Sequence, residues 1–483
     1  MNVEERDPSI LSKKMTRRRA LTTTTALVTG AVAGIVVGGV AGYFLGLSQA
    51  PTQTITKTET VTQTATKTVS APSTVTSTPT TPVKVPPIRF SCWDFHPERI
   101  EAHLKKFEEE YGIKVDIVNM QSYPAYQQAT QSKLLAGETY DVMYAMTDYQ
   151  LKWYEAGWVR TLEGLPDADT IKKSMYKGWL PSFVTPEGEL LSLPYFCAFY
   201  CVYYNKRIAD ENGFEEPRTK DDIYEQCKKL KEKGMPAPYL GWWAVMFEEQ
   251  FVSDALGEGI ELFSEDGDPL FEGNKELVEL LQWYRKMFKE GLTYKEIATD
   301  PDQGKQFASF LQGNSYIFDY HHYFLALFNK AGKGPEVGNF KIVEKPIGGG
   351  KVLGFGGSYL LGKNPQNLEA AWEFMKFLGW KSRKGEWTVR DAWLETDILL
   401  SPYPEWFNRS HVKEIIDPIA DYELVKKYFG EYTLSPPFRT QLLWYADWRI
   451  YCNTVLQSMV VGEVDPRDVP KMLADKAREL KSA

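Results

Sequence analysis

Residues 88–483 predict an α/β fold, and three observations carry the prediction. Short apolar stretches of strand character alternate with stretches whose apolar residues recur at helical spacing. Hydrophobic residues make up 43 % of the chain and charged residues 25 %, a balance that supports a packed core. Strands separated by helices imply parallel pairing, with helices on both faces of the sheet. At this length two lobes are expected rather than one.

Ile88 to Phe95 reads as the first strand, and Glu98 to Tyr111 follows with Ile100, Leu104 and Phe107 on one helical face. Lys114 to Met120 alternates as a second strand. After a helical stretch, Tyr140-Asp141-Val142-Met143-Tyr144-Ala145 reads as a third. Ligands of such sheets bind beyond the carboxyl ends of the strands, which singles out Trp93-Asp94, Tyr123 and Thr147-Asp148.

The chain before this region predicts an anchor. The charge-free apolar run Ala26 to Leu47, as a helix rising about 1.5 Å per residue, spans roughly the 30 Å of bilayer hydrocarbon. Lys13, Lys14, Arg17, Arg18 and Arg19 precede it and no charge follows until Lys57, so residues 1–25 form a cytoplasmic basic flank or signal n-region. Residues 26–47 form a transmembrane or signal anchor helix, and everything from Pro51 onward is expected outside the cell membrane. Gly30, Gly34, Gly38, Gly42 and Gly46 recur every fourth residue, a face suited to self-association or docking with another membrane helix, although small residues are common in such spans. Three export signals overlap here. Ser48 and Ala50 resemble a signal-peptidase site, Thr16-Arg17-Arg18-Arg19-Ala20-Leu21 a twin-arginine signal, and Arg19-Ala20-Leu21-Thr22 the processing site of archaeal pilin-like signals. No cysteine precedes Cys92, which argues against a lipid anchor.

Residues 48–87 read as a stalk. Threonine occupies every even position from Thr52 to Thr68, but the odd positions offer no apolar face for a strand to bury. The Thr/Ser/Pro composition is that of an extended, O-glycosylation-prone spacer. A formal net charge of −8 argues against a nucleic-acid surface. Five widely spread cysteines form no disulfide scaffold, and Cys197 and Cys201, about 13 Å apart in a strand, are too far apart to bridge.

The middle of the chain carries a family resemblance. Tyr140 to Leu162, with Glu155-Ala156-Gly157-Trp158-Val159, resembles the first lobe of extracellular solute-binding proteins of ABC importers, the family 1 or maltose/oligosaccharide-binding type, in its archaeal membrane-anchored form. So does Leu191-Ser192-Leu193-Pro194-Tyr195 leading through Val202-Tyr203-Tyr204-Asn205-Lys206 to Pro217-Arg218-Thr219-Lys220-Asp221-Asp222. Gly313 to His322, Gly354 to Leu360 with Ala370 to Phe374, and the pair Trp444-Tyr445 are similar to further motifs in the same order. The resemblance implies a periplasmic-binding-protein-like (type II) two-lobe clamp with discontinuous lobes, 88–198 and 355–385 forming lobe 1 and 202–345 and 390–483 lobe 2. The chain would pass between lobes near Ala198 to Cys201, near Lys345 to Gly354 and around residues 380–395. Gly348-Gly349-Gly350 suits either a mobile connection or an ordinary surface loop.

The ligand reading rests on aromatic residues, 14 % of the chain. Sugars present apolar C–H faces beside hydroxyls, so a sugar site needs flat rings next to polar groups. The candidates are Trp93, Asp94, Asp148, Tyr195, Trp242, Trp243, Tyr320, His321, Gly357, Trp444 and Tyr445, against the default that an aromatic packs in a core and that Asp94 and Asp148 cap helices. His321-His322 lacks the supporting ligand spacing of a metal site. No cofactor is implied. Asn408-Arg409-Ser410 matches an N-glycosylation acceptor. The partners expected are a small-molecule ligand, a sugar above all, and ABC permease subunits. The sequence contains no His-Glu-x-x-His, Gly-x-Ser-x-Gly or phosphate loop. Two acids paired in space would still make a secreted, membrane-anchored glycoside hydrolase, the alternative reading, and a structural adhesin is a third.

Overall fold

One strand, too apolar to be exposed on either face, organises the molecule. Ser192–Asn205 reads Ser-Leu-Pro-Tyr-Phe-Cys-Ala-Phe-Tyr-Cys-Val-Tyr-Tyr-Asn, and all 14 residues are buried. The computed structural model describes residues 85–122, 125–241, 243–244, 246–299, 304–330 and 334–483. The predicted anchor, its glycine face and the stalk up to residue 84 lie outside the described residues. Among those described, no helix is long and apolar enough to cross a membrane.

The strands are β1 (Ile88–Trp93), β2 (Val115–Gln121), β3 (Val142–Met146), β4 (Ser192–Asn205), β5 (Tyr239–Leu240), β6 (Ile317–His321), β7 (Phe340–Ile342), β8 (Val352–Leu361) and β9 (Thr433–Leu434). Their order is β2-β1-β3-β8-β4-β6-β5, with β7 on β4 and β9 on β8. The three strands read from the sequence pair in parallel as expected, β1 lying between β2 and β3. Beyond them the sheet turns antiparallel, because β8 runs against both β3 and β4.

β4 changes partners midway. Ser192 to Phe199 pair with β8, whereas Tyr200 to Tyr204 pair with β6. The two halves of this strand therefore belong to two lobes, each with helices packed on its sheet. The third segment at this junction is Ile398–Leu400, where Leu400 bridges Cys197. All five cysteines are buried and free, as the strand spacing of Cys197 and Cys201 requires.

Local signals set the helices of both lobes. Thr219 and Asp222 form a reciprocal capping box that opens helix Lys220–Glu232. Asn205 caps Lys206–Asn212, Asn274 caps Lys275–Lys289 and Asn367 caps Leu368–Gly379, each accepting from a backbone N–H of the first turn. The Gly348-Gly349-Gly350 turn is fastened rather than free. Gly348 N–H donates to the Arg218 carbonyl and Gly350 N–H to the Gly257 carbonyl, which fixes the turn to the end of helix Phe247–Gly257.

Aromatic residues fill the core. Trp153, Trp179, Trp243, Trp372, Trp393, Trp406 and Trp448, half of the chain's 14 tryptophans, are among its most deeply buried side chains. Composition alone therefore overstates the supply of ligand platforms. Where β4 and β8 meet there is no room for further side chains. A Cβ on Gly356 would overlap the Phe196 carbonyl oxygen, and one on Gly357 would stand 2.6 Å from the Tyr144 ring. Gly356→Ala is expected to lower stability by about 1–3 kcal/mol in chemical denaturation. Gly178→Ala, whose added Cβ would make an ordinary 3.5 Å contact with the Thr433 carbonyl, should leave the midpoint nearly unchanged.

Candidate functional site

A buried ion pair joins the two lobes, and a charged cluster stands behind it in lobe 2. β3 carries Asp148 just beyond its carboxyl end, in lobe 1. Helix Tyr445–Val461, packed on lobe 2, supplies Arg449, whose Nη1 donates to Asp148 Oδ2 at 2.8 Å with both residues buried. Helix Phe247–Gly257 opens with Glu248 and Glu249, and Arg439 Nη2 lies 3.2 Å from Glu248 Oε2 and 3.3 Å from Glu249 Oε1. Tyr445 donates its hydroxyl to Glu248. His321, the last residue of β6, lies with Nε2 3.1 Å from Glu249 Oε2 and Nδ1 2.8 Å from the Tyr323 hydroxyl.

Electrostatics assign the charges. Burial would raise the Glu249 carboxyl, but the hydrogen bond from His321 and the guanidiniums of Arg439 and Arg449 outweigh it and hold the group at about 2. Burial lifts Glu248 above its ordinary range despite the same two arginines. Burial also keeps His321 below the ordinary histidine value despite Glu249, so the neutral ring donates from Nε2 to Glu249 and accepts from Tyr323 at Nδ1. The result is a dense set of carboxylate, guanidinium and hydroxyl groups, the inventory that holds a polyhydroxylated ligand.

His322 serves the connection between lobes instead. Its Nδ1 accepts the Phe199 N–H at 3.3 Å, its Nε2–H donates to the Ile398 carbonyl at 3.1 Å, and its ring stacks on Phe199 at 4.4 Å. Burial pushes its pKa down to about 3, consistent with one fixed neutral tautomer. The adjacent histidines thus have separate environments, and among the described residues no cluster of three His, Cys, Asp or Glu side chains could hold a metal ion.

The other candidates divide by burial. Trp93 and Trp444 are half-buried: Trp93 stacks on Phe95 at the carboxyl end of β1, and Trp444 packs edge-on to Phe263 just before the helix that carries Arg449. Asp94 is half-buried with its carboxyl raised by burial, and neither Asp94 nor Asp148 caps a helix, since His96 and Tyr149 hold the cap positions. Tyr195 and Tyr320 are buried among aromatic rings. Trp243 is fully buried, stacked on Phe247 with its indole N–H donating to Gln250, which in turn donates to Asp319. Tyr445 is also fully buried, its hydroxyl committed to Glu248. Gly357 is enclosed by Tyr144 and Phe196 within the sheet. Asn408 is exposed at the end of helix Pro404–Phe407. Trp242 and Tyr123 lie outside the described residues.

Sequence reasoning missed Glu248, Glu249, Arg439 and Arg449. A trace was present in Tyr445 and Arg449, four residues apart on one helical face beside the Trp444 motif, but nothing local pairs either with residue 248.

The comparisons bear on this geometry. The family model for bacterial extracellular solute-binding proteins matches residues 96–379. The chain is 28 % identical over 225 residues to the diacetylchitobiose binding protein DasA of Streptomyces coelicolor, a match covering 44 % of this chain and half the length of that protein. Its fold resembles maltose-bound MalE3 of T. maritima, with a TM-score of 0.69 and 19 % identity over 81 % of this chain and 99 % of that one. It also resembles the ABC substrate-binding protein Lmo0181 of Listeria monocytogenes in complex with cycloalternan, with a TM-score of 0.68 and 18 % identity over 82 % and 98 % of the two chains. A two-lobe α/β clamp with a polar interior between its lobes defines a solute-binding protein. This chain belongs to the bacterial extracellular solute-binding protein family; its described domain works outside the cytoplasm and binds a solute rather than transforming it, so the hydrolase reading falls away.

Two measurements probe the site's electrostatics. Tyr445→Phe removes a donor from the buried Glu248 carboxyl and should cost about 1–3 kcal/mol in denaturant unfolding. His96 links lobe 1 to helix Thr388–Asp397, its Nε2 2.7 Å from Asp397 Oδ2. Burial pulls its pKa down, but the hydrogen bonds and charges of Asp397 and Glu98 outweigh this and hold it above the ordinary 6.5. A raised folded pKa gives stability that is full below the unfolded value and is lost as pH rises through the folded one. Melting temperature should therefore fall as pH rises above about 6.5, and His96→Gln should remove that component of the slope.

Proposed function

We propose that this chain captures an extracellular carbohydrate, with an oligosaccharide as the preferred size, and delivers it to the permease of an ABC importer. The carrying observation is the buried Arg449–Asp148 pair between the lobes, continued within lobe 2 by Glu248, Glu249 and Arg439, together with the half-buried rings of Trp93 at the carboxyl end of β1 in lobe 1 and Trp444 beside Tyr445 in lobe 2. Rings stack on the apolar faces of a sugar while paired charges take its hydroxyls, and lobe closure removes both from water. A relative named as a diacetylchitobiose binding protein, and structural neighbours bound to maltose or in complex with cycloalternan, support a sugar as the solute class. The proposal includes attachment through the helix 26–47 and the stalk 48–87, with lobes divided as 88–198 plus 355–385 and 202–345 plus 390–483.

Intrinsic tryptophan fluorescence of the full chain, titrated with neutral mono- and oligosaccharides, tests this. A saturable change is expected, with the sugar recovered chemically intact by chromatography. Trp93→Ala and Trp444→Ala should each weaken binding by about 1–3 kcal/mol through lost stacking area, read on protein shown to remain folded by circular dichroism. Silence across the panel overturns the sugar class.

A further inference from the structure

Four charges meet across the cleft in a pattern with one workable pairing. Asp148 and Lys152 stand four residues apart at the start of lobe 1's helix Gln150–Glu155, facing Asp447 and Arg449 in the opening turns of helix Tyr445–Val461. Arg449 Nη1 donates to Asp148 Oδ2 at 2.8 Å, and Lys152 Nζ lies 3.2 Å from Asp447 Oδ2. The alternative pairing would set Asp148 against Asp447 and Lys152 against Arg449, like against like.

Arg449 has a second acid in its own lobe. Its Nη1 lies 3.8 Å from Oε1 of the fully buried, ionised Glu249. Within lobe 2, Glu248 and Glu249 stand with Arg439 and Arg449, two acids beside two guanidiniums, before Asp148 is added. Separation of the lobes therefore takes one acid from Arg449 without leaving its charge unmatched. That removes the penalty that normally follows the loss of one partner from a buried pair. An arginine with a partner on each side of a moving boundary is a two-state element, and solute affinity depends on how that element is balanced before the solute arrives.

We propose that Arg449 is the positioning residue of lobe closure, shared between Asp148 across the cleft and Glu249 in its own lobe, and that this competition sets the resting balance between closed and open forms. The inference deepens the solute-capture reading and needs the clamp, but not a sugar.

Small-angle scattering of the ligand-free full chain reads the lobe balance, and fluorescence titration with the saccharide panel reads affinity. Asp148→Asn removes the partner across the cleft, so the particle should expand and affinity should fall by about tenfold. Glu249→Gln removes the competing partner, so the particle should contract. The two signs are opposite, whereas residues that merely support the fold would lower the melting temperature in both variants and shift shape the same way. The half-exposed second pair gives a variant that keeps its fold: Lys152→Glu should open the lobes, and Lys152→Glu with Asp447→Lys should close them again. Equal shape for parent, Asp148→Asn and Lys152→Glu, or shifts of the same sign in Asp148→Asn and Glu249→Gln, overturns the proposal. A parent that binds no saccharide refutes the sugar reading alone, because scattering still decides the role of Arg449.

Discussion

The structure depends on β4 being shared. A strand that gives its first half to one sheet partner and its second half to another ties two lobes together through a single run of backbone hydrogen bonds, and the two pairings meet between Phe199 and Tyr200. The strand is buried throughout, so it has no freedom to slip: a shift of one residue would exchange its two faces. It also bulges at Tyr195, which leaves the Pro194 and Tyr195 carbonyls to accept from the buried guanidinium of Arg390 on helix Thr388–Asp397. Two of the chain segments at the lobe junction are thereby fastened to each other.

Around this strand, polar groups are divided by duty. His322 holds Phe199 and the Ile398 carbonyl together at the junction, whereas its neighbour His321 points to Glu249 and Tyr323 inside lobe 2. Consecutive residues of an extended segment face opposite ways, so one can serve the junction and the next the cleft. Trp243 belongs to a third group. Gln250, Tyr239 and Asp319 form a buried network beside Lys220 and Asp254, which fixes the floor of lobe 2.

The same physics explains which site residues could be read in advance. Trp93, Asp148 and Trp444, which the proposed site uses, follow from local pattern: two sit at carboxyl ends of strands, and one lies within an ordered motif. Trp243 and Tyr320 were chosen for their ring chemistry, which cannot distinguish a platform from a core side chain, and the fold buries both. Glu248, Glu249 and Arg439 were not legible as site residues, since a carboxylate in the first turn of a helix looks like ordinary dipole compensation until its partner from nearly two hundred positions away is known.

The sequence by itself determined the alternation of strands and helices, the parallel start of the sheet and the family, because each depends on residues close together or in fixed order. Tertiary structure alone decided that β8 would enter antiparallel, that the glycine turn 348–350 would be fastened to a helix end, and that Arg449 would stand between two acids. Those outcomes depend on contacts between segments one hundred to three hundred residues apart, where burial and charge pairing act through space and leave no periodic trace along the chain.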